Sequence, residues 1–403
     1  MIQELKIKNF MSFRDEVTLS FEATKDTTFE DYHVVEVAPG VRLLRFAMVY
    51  GANASGKSNL LHAIEFLHDF ITTKTSDIEE NTSVEPFKLD INTPSHPSEF
   101  SIKFYVDNTK YWYETKLDQQ RVYLERLYYY TSVQPTKLFE RTWADGESVL
   151  TFNPAVTKIS NAAKEELVLK CLPNMSFFAA RKQVNVALKE IDAAREWLIN
   201  NIMQIVEPHS RMFDFAKYEL LENDNLKQYL LGFVHQADFN ISDLKADTVK
   251  SARGFEQVRT QFVHTVTNSH GTEQYTLPAD SQSAGTKRTI GIEAAVFHAL
   301  KKQSFLAIDE IEASLHPELV EFIIQQFLSQ KSRAQLLVTT HYDPLLNTVG
   351  DDLIRKDSVW FTEKDDSGKT DLYSLVEYKG LNRIRSLQKA YRNGVFGALP
   401  NIK

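Results

Sequence analysis

Cysteine is almost absent from this chain: one residue in 403, Cys171. A single thiol excludes a disulfide framework and a cysteine metal cluster, and reads as a buried free thiol. No apolar run reaches membrane-spanning length and no signal peptide is recognisable, so a cytoplasmic protein with no membrane partner is expected. Positive charge is not in excess either. The formal net charge is −8, whereas a general duplex-binding domain is usually basic. Internal repeats, low-complexity tracts and sustained heptads are also missing, which excludes solenoids and long coiled-coil arms. What remains is an ordinary globular composition, with 43% hydrophobic and 25% charged residues.

Against that background, five short motifs occur in a fixed order. The first is Gly51-Ala52-Asn53-Ala54-Ser55-Gly56-Lys57-Ser58. Arg42 to Tyr50 before it reads as a strand. Leu60, Leu61, Ile64, Phe66 and Leu67 after it recur at helical spacing. Strand, glycine loop and helix is the context of a phosphate loop. Gly51 and Gly56 permit backbone angles and a close approach that a Cβ would block. Successive N–H groups through Asn53, Ala54, Ser55 and Asn59 can face an anion at the helix start. Lys57 would reach the β- and γ-phosphates of ATP, and the Ser58 hydroxyl would hold Mg²⁺.

Phe305 to Ile308 is an apolar run that ends in Asp309 and Glu310. It reads as a central strand with its charge at the C-terminal end, where ligands sit in open α/β sheets. Asp309 would hold Mg²⁺ and Glu310 would orient and deprotonate the attacking water. Phosphoryl transfer needs little beyond positioning and charge stabilisation. Alone, the pair would read as a solvated strand end; the phosphate loop changes that. Ser283-Ala284-Gly285-Thr286 precedes a helical stretch, Ile290 to Lys302. By itself it would be an ordinary N-cap, but a hydroxyl and a glycine at a helix start also suit an anion. His341 follows the apolar strand Gln335 to Val338 and Thr339-Thr340. In that place it reads as a γ-phosphate sensor.

The rest of the chain is read more coarsely. Ser98 to Tyr130 alternates and is rich in aromatics, which predicts antiparallel strands turning at Asp107-Asn108. Residues 157–235 read as mostly helical, broken at Pro173 and Pro208. Asp351 to Tyr378 reads as a hairpin turning at Asp365-Asp366-Ser367-Gly368. The expected fold is α/β: a P-loop ATPase core with a mixed sheet, an antiparallel β subdomain and a helical insertion. The division is an N-terminal lobe over 1–130, a mainly helical insertion over 131–240 and a C-terminal lobe over 241–403. From Lys379 to Lys403 there are six Lys or Arg and no Asp or Glu. Arg385, Lys389 and Arg392 recur at helical spacing, with Arg383 nearby. That end reads as a solvated helix face or as a surface for nucleic acid or an acidic partner.

These motifs resemble the ABC-type ATPases, in particular the SMC-, RecF- and OLD-like branch. The wording Ile308-Asp309-Glu310-Ile311-Glu312-Ala313-Ser314-Leu315-His316-Pro317 is close to it, as is the opening Leu5-Lys6-Ile7-Lys8-Asn9-Phe10-Met11-Ser12-Phe13. The resemblance makes Ser283, Gly285 and Thr286 a signature motif, Ser314 to Pro317 a D-loop and His341 a switch histidine. Glu85-Pro86-Phe87-Lys88-Leu89-Asp90 and Tyr391 to Pro400 look like stand-alone ATPases of bacterial phage defence, such as the AbiL, RloA and PARIS ATPase proteins. Implied by it are Mg²⁺-dependent ATP hydrolysis, head-to-tail pairing of two or more copies, and a separately encoded effector. A RecF-like DNA repair or replication ATPase is the alternative. A scaffold that holds ATP without turnover is a further rival. A nuclease in this chain is not expected, because residues 342–403 are too few for the Toprim domain of OLD-type proteins. One departure stands out. The family's Q-loop places a Gln on the metal, but no Gln occurs from Asn59 to Asp118; the stretch Phe87 to Asp90 is the candidate for that place.

Overall fold

The computed structural model describes residues 1–237, 239–250, 255–269 and 271–399. Pro400 and Lys403, the end of the C-terminal stretch read above, lie outside the described residues. The architecture is built around one strand, Phe46–Tyr50, all five residues of which are buried. It pairs in parallel with Gln335–Thr340 on one side and with Val359–Lys364 on the other. Phe305–Ile308 adds in parallel outside Gln335–Thr340, and Thr370–Ser374 adds antiparallel outside Val359–Lys364. The result is a five-stranded mixed sheet in a P-loop ATPase-like α/β core.

Alternate residues of these strands supply two cores, as the two-residue period of a strand requires. Ala47, Val49, Ala307 and Leu337 join the phosphate-loop helix, Lys57–Thr72, and a second sheet. Phe46, Met48, Leu306, Ile308 and Val338 join the helices Ala284–Lys302 and Pro317–Ser329. The second sheet has seven strands in the order 147–152, 135–144, 122–130, 109–117, 98–106, 2–8, 17–20. All its pairings are antiparallel. The turn at Asp107-Asn108 lies where the alternation placed it. The sheet continues past Tyr130 through Pro135–Ala144 and Glu147–Phe152, so the first part of 131–240 is strand. Helices then run from Asn161 to Gln236, with Pro173 and Pro208 between them. A three-stranded antiparallel sheet, Ile241–Lys250, Glu256–Asn268 and Gly271–Pro278, leads into the Ser283 helix.

Three sequence expectations need correction. Arg42 to Tyr50 is not one strand. Val41–Leu44 pairs with Val34–Ala38, while Phe46–Tyr50 lies in the mixed sheet. Arg45 separates them: its buried guanidinium donates to the carbonyls of Tyr32, Leu328 and Phe327 at 3.0, 3.1 and 3.2 Å. Phe305–Ile308 is not central but the last strand on its side of the sheet. Its outer edge is still covered, by parallel bridges from Ile202 to Phe305 and from Val206 to Ile308. Finally, Arg385 precedes the short helix Leu387–Arg392 instead of lying on it, and Arg392 is ion-paired with Asp343.

Cys171 is buried and unbridged, and burial pushes its thiol up to about 12, as suits an inert core thiol. No helix among the described residues is long and apolar enough to cross a membrane.

One buried carboxyl carries a consequence for stability. Glu293 lies within the Ala284–Lys302 helix and accepts from the Tyr229 hydroxyl at 2.8 Å. Burial raises it from the ordinary value of 4.5 to about 8, against the opposing Tyr229 bond. The folded protein therefore holds this proton more tightly than the unfolded chain. Its contribution is full below about pH 4.5 and is lost as pH rises to about 8, at up to ~1.4 kcal/mol per pH unit. Thermal melts across that window are expected to show a fall in melting temperature whose slope is shallower in Glu293→Gln.

Candidate functional site

Parallel pairing sends the C-terminal ends of Phe46–Tyr50, Gln335–Thr340 and Phe305–Ile308 to one edge of the sheet. Tyr50 opens there into the phosphate loop, Ile308 into Asp309 and Glu310, and Thr340 into His341. Residues some 250 positions apart thereby meet directly. The Ser58 hydroxyl donates to one oxygen of Asp309 at 2.8 Å.

The loop is shaped by its two glycines. Gly56 has φ +108, in the left-handed region that favours glycine. A Cβ on Gly51 would stand 2.6 Å from the carbonyl oxygen of Thr362. Gly56 caps the Lys57–Thr72 helix, and among the described residues no side chain makes a cap hydrogen bond to the helix's first N–H groups. Those donors point to an anion. Lys57 is buried, and its ammonium donates to the carbonyls of Gly51 and Ala52 at 2.8 and 3.1 Å. Burial pushes it below its ordinary range, while Glu310, Asp309 and Glu312 pull the other way. Asn53 and Ala54 are exposed at the tip, and Ala54 has φ +62.

Ser55 and Asn59 face supporting structure. Ser55 Oγ lies 2.7 Å from the Thr362 hydroxyl, and the Ser55 carbonyl accepts from the Thr370 hydroxyl at 2.8 Å. Asn59 donates to Ser12 Oγ at 2.7 Å, and that oxygen lies 2.8 Å from Thr370 Oγ1. Ser12 belongs to the opening motif Met11-Ser12-Phe13, so that motif buttresses the loop from behind. The stretch Glu85–Asp90 packs on the opening motif too. Met11 N–H donates to the Glu85 carbonyl at 2.7 Å and Phe87 N–H to Asn9 Oδ1 at 3.1 Å. Among the described residues, no hydrogen bond joins Phe87–Asp90 to Ser58 or Asp309.

Thr339 organises the carboxylate pair. Its hydroxyl donates to the second oxygen of Asp309 and accepts the Glu310 N–H at 2.8 Å. Glu310 has φ +43, uncommon for a non-glycine residue. Its carboxylate has no hydrogen-bond partner among the described residues. Asp309 and Ser58 together offer a carboxylate and a hydroxyl, the hard oxygen donors that suit Mg²⁺ alongside phosphate oxygens. Among the described residues no group of three or more His, Cys, Asp or Glu could hold a metal by itself. The residues present therefore fit a nucleotide with its cation better than a stand-alone metal centre.

His341 sits at the rim, its side chain about half exposed. Glu312 holds it: one Glu312 oxygen accepts the His341 backbone N–H at 2.7 Å and lies 3.0 Å from Nδ1. Among the described residues no hydrogen bond engages Nε2. Sequence reasoning assigned no role to Glu312 or to the Thr339 hydroxyl. Glu312 lies three residues past Asp309 and gives no signal of its own in the sequence.

Ser283 caps the Ala284–Lys302 helix, its Oγ accepting Thr286 N–H at 3.0 Å. Ser283 is exposed, and a Cβ on Gly285 would stand 2.7 Å from the Ser314 carbonyl. Ser283, Gly285 and Thr286 share a cleft of about 600 Å³ with Ser314, Leu315 and His316. No hydrogen bond joins Ser283–Thr286 to the phosphate loop of the same chain among the described residues.

The family profile described as "AAA domain, putative AbiEii toxin, Type IV TA system" matches residues 46–347. No curated protein matches the chain. Among solved structures, an SMC head domain from Thermotoga maritima is 12% identical, over 93% of this chain and 98% of that one, at a TM-score of 0.43. An Smc head with an extended coiled coil, bound to the C-terminal domain of ScpA derived from Pyrococcus furiosus, is 14% identical, over 97% and 98%, at 0.42. Likeness of that strength leaves the fold to rest on its own strands. The matched span runs from the strand before the phosphate loop to beyond His341, and the chain belongs to this family of AAA-type ATPase domains.

Proposed function

We propose that the protein is a Mg²⁺-dependent ATP hydrolase whose site is completed by a second copy of the chain. The observation that carries this reading is the Ser58–Asp309 hydrogen bond, which sets Glu310 beside the phosphate loop. The helix-start N–H groups and Lys57 would bind the phosphates. Ser58 and Asp309 would hold Mg²⁺, which when bound offsets charge on the transferred phosphoryl group. Glu310, its backbone held by Thr339 and its carboxylate free, would take the proton of the attacking water. His341, steadied by Glu312, would contact the γ-phosphate through Nε2.

Ser283 is exposed, and among the described residues no hydrogen bond joins Ser283–Thr286 to their own phosphate loop, which suits contact with the nucleotide of a partner copy. Closure in trans makes ATP binding a switch on assembly. The family description, with its toxin–antitoxin term, supports a place in bacterial defence against phage, as sensor or motor of a separately encoded effector.

Lys57→Ala is expected to abolish ATP binding or turnover, measured by nucleotide affinity and phosphate release. Glu310→Gln is expected to retain ATP while losing at least ~10²-fold in rate, the scale of lost general-base catalysis; wild-type turnover in that variant would unseat Glu310 as the base. Ser283→Arg is expected to block closure and spare nucleotide affinity. Mixed with Lys57→Ala, it should recover one working site per heterodimer. Heterodimers that form and stay inactive would count against completion in trans.

A further inference from the structure

The helix that begins at Ser283 is tied to the catalytic carboxylates of its own chain by one residue, Arg288. One guanidinium nitrogen donates to the carbonyls of Glu207 and Pro208 at 3.0 and 2.9 Å. The other donates to the carbonyls of Asp309 and Glu310 at 3.4 and 3.1 Å. Four carbonyls from two segments thus converge on one side chain borne by a third. Arg288 lies five residues past Ser283, about 7.5 Å along a helix at ~1.5 Å per residue. The first turn of the same helix presses on Ser314, where Gly285 leaves no room for a Cβ. The helix start therefore touches the segment 309–314 at both of its ends.

The backbone it grips is conformationally uncommon: Glu310 and Ser314 both have positive φ, at +43 and +62. Residues in such regions persist only where their surroundings over-determine them. The Thr339 hydroxyl fixes Glu310 through its N–H and Arg288 fixes it through its carbonyl. Arginine suits this task because its planar fork presents several donors in fixed directions, whereas lysine offers a single nitrogen.

We propose that Arg288 is a positioning residue that couples the Ser283–Thr286 surface to the Glu310 carboxylate of the same chain. The coupling rests on the reading of Glu310 as the base and of Ser283–Thr286 as a contact for a partner's nucleotide. When a second copy's ATP seats on Ser283–Thr286, the helix and Arg288 shift as one body, and the geometry at Glu310 follows. Occupancy of one site then sets the competence of the other, and hydrolysis in the dimer is positively cooperative.

The test uses the full-length protein with Arg288→Ala and Arg288→Lys. A fluorescent ATP analogue should bind both variants within about twofold of wild type, because Arg288 does not touch the phosphate loop. Turnover at saturating ATP should fall at least ~10-fold in Arg288→Ala, the scale expected when a reacting group is misplaced. KM should hold, the Hill coefficient should drop to 1, and Arg288→Lys should recover only part of the rate. Amide hydrogen exchange over residues 309–315, measured without nucleotide, should quicken in both variants, most in Arg288→Ala. Wild-type rate, cooperativity and exchange in Arg288→Ala would overturn the proposal. If Arg288→Ala does not fold, Arg288→Lys decides by the same readings. A wild-type protein that hydrolyses no ATP would refute the catalytic reading instead, and the exchange rates would still show whether Arg288 holds the Glu310 segment.

Discussion

Everything in the candidate site depends on the parallel pairing of Phe46–Tyr50 with Gln335–Thr340 and, beyond it, Phe305–Ile308. Parallel strands end on the same edge. The phosphate loop, the carboxylate pair and His341 each follow such a strand end, so all three emerge side by side. Antiparallel pairing of the same segments would have sent Asp309 and Lys57 to opposite edges. The pairing is strongly specified because Phe46–Tyr50, Phe305–Ile308 and Gln335–Thr340 are buried throughout. A slip of one residue would exchange the side chains facing the two cores.

The second element is a set of short hydroxyl side chains. Thr339 serves Asp309 and Glu310, Thr362 serves Ser55, and Thr370 joins Ser55 to Ser12. A buried hydroxyl without a partner would cost about 1–3 kcal/mol and a carboxylate more, so a network satisfied by its own members holds its geometry. Ser12, Thr362 and Thr370 all lie outside the matched family span of 46–347. The turn after the opening strand and the C-terminal hairpin are therefore part of the phosphate loop's support.

Charge in the site is unevenly divided. Asp309, Glu310 and Glu312 stand against Lys57 and Arg288, and both cations are pushed down by burial while those carboxylates pull them up. Lys57 rests on loop carbonyls and Arg288 on four carbonyls, and among the described residues neither is committed to a carboxylate by a hydrogen bond. A cation held beside Asp309 would ease the repulsion between these acids and a triphosphate.

The local parts of this protein were legible in its sequence. Gly51 and Gly56 announced a loop that side chains would obstruct. Apolar runs ending in charge announced strands that stop at a ligand edge, and alternating aromatics announced the antiparallel strands from Ser98 to Tyr130. These follow from backbone sterics and short periods, which act between near neighbours in the chain. The misreadings had tertiary causes. Arg42 to Tyr50 reads as one strand because nothing local reveals that Arg45 finds three carbonyls from two distant segments. Phe305–Ile308 reads as central because a covered edge strand is as apolar as an interior one. Glu312, Thr339 and Arg288 carry no local signature, since each matters through a partner on another element. Which residues could bind phosphate and which could carry a carboxylate pair follows from local pattern alone. That Ser58 meets Asp309, that Thr339 holds Glu310 and that Arg288 grips the same turn follows only from the packed fold, because those bonds join elements placed by burial of two cores rather than by anything adjacent in the chain.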